Sequence, residues 1–273
     1  VADKQNVKET PPPAAGEIRR DTARGIHSLS SVVNLILFEP SETHSPLPRG
    51  DSRAAHIVDV LRRKVGDTVD TGLINGPRGK ATVTALSDES VGLAFAWDNH
   101  TTPALTPITL LVGLPRPQTV RKILHAATEL GVNAVHFIAT EKSEPSYAQS
   151  SLWSSGEWRR HLVDAAQQAF DTRLPDISHG RKLADALASL EKNPTRLALD
   201  NYESPLALGE SPLGDDGRVV LAIGPERGWS ARDRTALRAH GFALAHLGHR
   251  VLRAETALTG AVAILQSRLG WMR

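Results

Sequence analysis

The sequence of 273 residues predicts an α/β protein, a parallel sheet with flanking helices over residues 105–273, preceded by a small antiparallel β-barrel over 34–104. Two observations carry this expectation. Beyond residue 104, short apolar runs alternate with segments of helical periodicity, and Val219-Val220-Leu221-Ala222-Ile223 is apolar throughout, as a strand buried on both faces is. Before it, strand-like pieces at 68–74, 79–86 and 90–97 carry Thr, Val and Leu and are punctuated by Asn75-Gly76-Pro77-Arg78-Gly79.

Taken in order, residues 1–33 are polar, contain Pro11-Pro12-Pro13, and read as a disordered leader. An apolar strand runs to Phe38 and is ended by Pro40. In His56–Arg63 the spacing of Ile57, Val60 and Leu61 predicts a short helix with a basic end. Thr101-Thr102-Pro103 and Pro107 read as a linker. Then come a strand at 108–114 and a helix at 119–130 with Val120, Ile123, Leu124, Ala127 and Leu130 on one face, closed by Gly131. A strand at 132–139, helices at 158–170 and 181–191, and strands at 196–199 and 219–223 follow. Ser230 opens a helix with Asp233 three residues on, resembling a capping box, and Gly241 closes it. A strand at 243–247 and a helix at 255–269 complete the chain.

Composition narrows the function. Lys plus Arg number 32 against 30 Asp plus Glu, a net charge of +2 that excludes a polycationic arm but not a local basic face. Arg supplies 24 of these bases, which suits bidentate phosphate recognition and equally reflects a GC-rich genome. The absence of Cys excludes disulfides, thiolate nucleophiles, zinc ribbons and iron–sulfur clusters, and fits a reducing compartment. Twelve aromatic residues are too few for a stacking sheet of the RRM kind. No apolar run approaches the roughly 20 residues that span a bilayer, and the first residues are no signal peptide, so the expectation is a soluble cytoplasmic protein.

Two strand ends carry unusual loops: Gly224-Pro225-Glu226-Arg227-Gly228-Trp229-Ser230 and Leu247-Gly248-His249-Arg250-Val251-Leu252-Arg253-Ala254-Glu255-Thr256-Ala257. Ligands of open α/β sheets collect at such carboxyl ends, and a helix start there favours an anion. The first is also an ordinary strand-to-helix turn in form, and Arg250 and Arg253 also fit solvated loop charge. Neither loop is a dinucleotide fingerprint or a P-loop, no Gly-x-Ser-x-Gly elbow exists, and the 11 His form no metal-ligating set.

With Glu129-Leu130-Gly131-Val132, His56-Ile57-x-x-Val60-Leu61-Arg62 and Leu174-Pro175-x-Ile177, these loops resemble the 16S ribosomal RNA uridine-N3 methyltransferase family of the SPOUT superfamily, in family order over about residues 34–270. The resemblance implies a C-terminal trefoil knot, a PUA-like N-terminal barrel that helps hold RNA, S-adenosylmethionine as cofactor, a homodimer, and a substrate in small-subunit ribosomal RNA or the 30S particle. It places Gly224, Pro225, Glu226 and Gly228 in one cofactor loop, and Leu247, Gly248, Arg250, Val251, Leu252 and Arg253 in the next. Thr256 and Ala257 begin the helix beneath, and Leu199 with Asp200 ends the strand of a third loop. Three positions depart from the family pattern: Arg227 for a Gly, Ala126 for a Lys and Asp171 for an Arg, which marks a divergent subgroup.

Uridine N3 must lose its proton for methyl transfer, so a cation and a base are expected beside it. Arg253 is the candidate cation; Glu255 or Glu226 is the candidate base, each equally suited to capping a helix or ordering a loop. The expected RNA surface combines Arg53, His56, Arg62, Arg63 and Lys64 of the barrel with Arg116, Arg121 and Lys122 of the second region. Ribose 2′-O-methylation by another SPOUT enzyme and a non-catalytic RNA-binding or ribosome-assembly role are the competing readings. Charge is segregated: residues 218–273 hold nine Arg against three acids, in the segment carrying both loops.

Overall fold

The computed structural model describes residues 35–99, 102–191 and 194–272; the leader expected over 1–33 lies outside them. Its first sheet contains β1 (Leu35–Phe38), β2 (Leu47–Pro48), β3 (Thr68–Leu73), β4 (Arg78–Leu86) and β5 (Ser90–Trp97), in the order β1-β3-β4-β5-β2. β3, β4 and β5 form the expected antiparallel meander, whereas β1 joins β3 in parallel, with Leu35 opposite Asp70. A register shift between Val83 and Ala85 bends β4. This sheet fits a small barrel, filled by Ile36, Phe38, Ile57, Val69, Ala81, Val83 and Val91.

The helix expected over 56–63 begins earlier. Asp51 caps α1 (Ser52–Ala55) by accepting the Arg53 amide at 2.8 Å, and a π-turn continues it through His56–Val60. Arg62 adopts a positive φ of 52°, so the chain turns away before Arg63.

The second sheet has seven parallel strands: β6 (Thr106–Gly113), β7 (Val132–Ala139), β8 (Asp176–Lys182), β9 (Thr195–Leu199), β10 (Leu206–Ala207), β11 (Val219–Ile223) and β12 (Ala243–His246). Their order is β10-β12-β9-β11-β6-β7-β8. Within β11, Val219, Leu221 and Ile223 point to one core while Val220 and Ala222 point to the other, so the continuous apolar run serves two faces. One face is covered by α2 (Pro117–Glu129), α4 (Glu157–Gln168) and α7 (Ala254–Arg268), the other by α5 (Leu183–Ala188) and α6 (Ala231–Ala239). Between β7 and α4 lie a 3-10 turn (Pro145–Gln149) and the short α3 (Ser151–Ser154).

The helix expected at 181–191 is mostly wrong in its start: Arg181 and Lys182 end β8, and α5 begins at Leu183. β8 reads Asp-Ile-Ser-His-Gly-Arg-Lys and lies largely exposed at the sheet edge, so neither alternation nor an apolar run marked it.

The two sheets share a core, since Leu35 and Leu37 of β1 pack with the β6 and α4 residues. Gln167 on α4 accepts the Leu37 amide at 3.0 Å. The segment after α4 clamps the β3–β4 turn. Thr172 Oγ1 donates to the Gly76 carbonyl at 2.6 Å, and the Asn75 side chain accepts the Leu174 amide at 2.9 Å. Asp171 orders this clamp by accepting the Thr172 and Arg173 amides at 2.6 and 3.0 Å. Its departure from the expected Arg therefore serves a turn that holds the sheets together.

Candidate functional site

Going outward from β6, the chain winds one way through β7 and β8, and the later strands fill the opposite side. This change of direction leaves a crevice at the carboxyl ends of β6, β9, β11 and β12. A cavity of about 610 Å³ lies there, within the size range of small-molecule sites. Each of the four strand-end loops contributes.

The loop after β11 is shaped by glycine. Gly228 has a φ of +65°, and its amide donates to the Pro225 carbonyl at 2.7 Å to close the turn. A Cβ on Gly224 would lie 3.2 Å from the Gly228 Cα, so the two backbones pass at close quarters. Trp229 is buried, and its indole Nε1–H donates to the Leu199 carbonyl at 2.9 Å, tying this loop to β9. Lys142 holds it from the other side, donating to the Arg227 and Trp229 carbonyls at 3.3 and 3.1 Å. The capping box is present: Ser230 accepts the Asp233 amide, and Asp233 accepts the Ser230 amide.

The loop after β9 is built on Asp200, which is 5% exposed. Its Oδ1 accepts the Tyr202 and Glu203 amides at 2.8 and 2.6 Å, and its Oδ2 accepts Arg234 Nε at 2.7 Å. After β12, Gly248 takes a φ of +97°, Leu247 and Leu252 reach the cavity, and Arg253 stands at the N-cap position of α7 without a side-chain capping bond.

Besides Asp200, two further carboxylates stand on the cavity wall, and both are engaged. Glu226 Oε1 accepts from the Arg116 amide at 3.1 Å, Arg116 Nε at 3.3 Å and Thr119 Oγ1 at 3.1 Å, at the start of α2. Glu255 accepts Lys122 Nζ at 2.9 Å. Burial pushes the Glu255 carboxyl up, but the Lys122 hydrogen bond, its own backbone amide and the nearby charges of Lys122 and Arg253 together hold it below the usual range.

The RNA methyltransferase domain family matches residues 102–266 of this chain. The ribosomal RNA small subunit methyltransferase E of Treponema pallidum is 32% identical over 250 residues, which cover 88% of this chain and 94% of that protein. The chain belongs to the ribosomal RNA small subunit methyltransferase E family. Solved structures with the same fold include a probable rRNA-methyltransferase from Porphyromonas gingivalis, with a TM-score of 0.73 and 24% identity over 88% of this chain and all of that one. A ribosomal RNA small subunit methyltransferase E from Neisseria gonorrhoeae, bound to S-adenosyl methionine, has a TM-score of 0.67 and 21% identity over 86% and 97% of the two chains.

Set against the residues carried over from the family resemblance, the cavity gathers Leu199, Gly224, Pro225, Glu226, Gly228, Leu247, Val251, Leu252, Arg253 and Ala257, together with Glu255. Gly248, Arg250 and Thr256 do not line it. Of the expected RNA residues, Arg116 and Lys122 also stand on its wall. Arg121 is instead bonded to Glu157, 2.6 Å away, and its hydrogen bond, with that of His161, holds the Glu157 carboxyl at about 2. Arg53 forks onto Glu42 and Asp51, each within 2.8 Å, and stacks on Phe38. That guanidinium, with its side chain 21% exposed, is engaged as a brace within the barrel. His56 lines a separate hollow of about 260 Å³ with Arg53, Asp164 and Gln167. Arg62 and Lys64 are exposed, while Arg63 is partly buried.

Sequence reasoning missed Gly113, Gln118, Thr119, Lys142, Tyr202 and Arg234. A Cβ on Gly113 would lie 2.5 Å from Pro225 Cδ, so the end of β6 must be glycine for Gly-Pro-Glu to pack. Arg116-Pro117 was the available signal for the α2 wall, because Pro at the first helical position marks a helix start beside β6.

Proposed function

We propose that this chain is an S-adenosylmethionine-dependent methyltransferase acting on N3 of a uridine in 16S ribosomal RNA. The observation that carries the reading is the convergence of the β9, β11 and β12 loops on one cavity whose wall bears Arg253, Glu255 and Glu226. The residues present fit the cofactor. Close backbone approach at Gly224 leaves room for a ligand against the main chain, and Leu199, Ile223, Leu247 and Leu252 give apolar walls.

When bound, the cofactor supplies an electrophilic methyl group on a sulfonium. The chain's residues position and polarise. Glu226 fixes the Gly-Pro-Glu loop against α2 through Arg116 and Thr119, which makes it a positioning group. Lys122 pairs with the Glu255 carboxylate and orients it, and Glu255 is assigned to accept the N3 proton. Arg253, exposed at the start of α7, stabilises the uridine anion at O2 or O4. N3 lies on the Watson–Crick edge, so the target base enters unpaired.

The same reading gives the chain a trefoil knot around β11–α7, a PUA-like role for the N-terminal sheet as a domain over 34–104, and a cytoplasmic homodimer. Val251, 79% exposed beside the cavity, suits contact with a second subunit. Arg116 and Lys122 beside the cavity, with Arg62 and Lys64 in the connection before β3, are assigned to RNA phosphates.

The test is to incubate the purified chain with labelled cofactor and unmodified 16S RNA or 30S particles, then to digest the RNA and weigh its nucleosides. N3-methyluridine is expected. A ribose methyl would assign the other SPOUT chemistry, and no cofactor binding by calorimetry would assign a non-catalytic role.

A further inference from the structure

We propose that Tyr202 is a stacking platform for a base of the RNA strand that enters the cavity. This rests on the reading above that the cavity receives an RNA nucleotide. Tyr202 stands on the cavity wall and is 77% exposed. The other aromatic residue on that wall, Trp229, is 1% exposed, and its indole N–H is spent on Leu199. A large ring left this open at a cavity mouth is a contact surface for something that arrives from solvent.

The ring is also preorganised. Its backbone amide is fixed by Asp200, and the Arg234 guanidinium lies 5.4 Å from the ring centroid. Arg234 is itself buried and held by Asp200 Oδ2. A cation seated at an aromatic ring that is anchored to its turn reduces the ordering cost of binding. The turn that carries the ring is therefore fixed before any ligand arrives, and Arg234 favours one placement of the ring.

The chemistry of the rim identifies the occupant. Arg227 and Arg253 line the same cavity, are exposed, and have no ion-pair partner among the described residues. Guanidinium groups beside an open aromatic ring match a single-stranded nucleic acid, which offers phosphates and base faces together. The cofactor's adenine is better served by the more buried walls, Ile223 and Leu199. A flipped-out uridine or its neighbour is left for the exposed ring.

The experiment compares wild type, Tyr202→Ala and Tyr202→Phe in three measurements: anisotropy of a labelled single-stranded, uridine-containing RNA fragment, cofactor affinity by calorimetry, and subunit association by sedimentation. Tyr202→Ala is expected to weaken RNA binding about 5- to 150-fold, the effect of one lost base stack. Cofactor affinity and association state should stay at the wild-type values. Tyr202→Phe, which keeps the ring, should restore RNA affinity to within about threefold. The proposal is overturned if Tyr202→Ala binds RNA like wild type, or if its loss appears in cofactor affinity or in subunit association instead. Failure of the functional reading looks different: wild type then binds the fragment but forms no N3-methyluridine.

Discussion

Arg234 Nε donates to Asp200 Oδ2 at 2.7 Å, in a pair of which 10% of the Arg234 side chain and 2% of the Asp200 side chain reach solvent. Asp200 also accepts two amides of its own turn, so one carboxylate joins α6 to the loop after β9. Removing one member of a buried pair leaves an uncompensated charge, which costs far more than the pair contributes. Asp200→Ala is therefore expected to destabilise the fold by about 3–5 kcal/mol in urea denaturation. Asp200→Asn, which retains an amide oxygen for the turn, should cost less. A loss below about 1 kcal/mol for Asp200→Ala would mean that the turn is held by other contacts.

Gly113 controls the cavity from beneath. An added Cβ would meet Pro225 N at 2.7 Å and Pro225 Cδ at 2.5 Å, and a proline ring has no flexible end to yield. Gly113→Ala is expected to cost about 1–3 kcal/mol by overpacking. It should also lower turnover by about 100-fold, because the displaced loop carries Glu226. Gly209→Ala is the control, since nothing lies within 4 Å of its added Cβ. Similar losses in both variants would remove the steric explanation.

The strands with continuous apolar runs and the helices with a buried stripe were legible in the sequence. Val132–Ala139 and Val219–Ile223 have the expected bounds, and the Ser230–Asp233 box caps α6. These elements are specified locally, by periodicity and by a cap. β8 was not legible, because an exposed edge strand needs neither alternation nor apolarity. The two glycine-marked loops pointed to the cavity, since tight turns with positive φ leave a local signature. Lys142, Tyr202 and Arg234 left none. Each acts across a long stretch of chain, Lys142 on carbonyls more than 80 residues away, and only the fold brings the partners together.

Acid should loosen the β7–β8 edge. Burial, and then the Arg181 charge, hold the His136 imidazole below its ordinary value of 6.5, with Asp176 opposing. Burial lowers His179 in the same way. A lowered folded value means that the unfolded chain binds more protons between that value and 6.5. Stability is then full above about pH 6.5 and falls as pH drops through the window beneath it. Urea midpoints measured from pH 7.5 to 5 should decline, and His136→Gln should flatten the decline while keeping a partner for Ser178 Oγ. An unchanged slope in the variant would place the acid sensitivity elsewhere.

Arg53 and the exposed bases Arg62 and Lys64 ahead of β3 should separate cleanly. Arg53 makes charged hydrogen bonds to Glu42 and Asp51, donates to the Leu37 carbonyl at 3.2 Å, and lies 4.8 Å from the Phe38 ring centroid. Charge-assisted bonds contribute about 1.5–3 kcal/mol each when buried and less when, as here, their carboxylates are partly exposed, so Arg53→Met is expected to lower stability by about 2–3 kcal/mol in total. It should leave the salt dependence of RNA binding unchanged, because no phosphate contact is lost. Arg62→Ala and Lys64→Ala should do the reverse: stability stays within about 0.5 kcal/mol of wild type, as for most exposed sites. Each should reduce the slope of log K against log salt by about 0.7–0.9, the signature of one lost phosphate contact. An Arg53→Met protein with native stability and a shallower salt slope would return Arg53 to the RNA surface and undo its assignment as a brace.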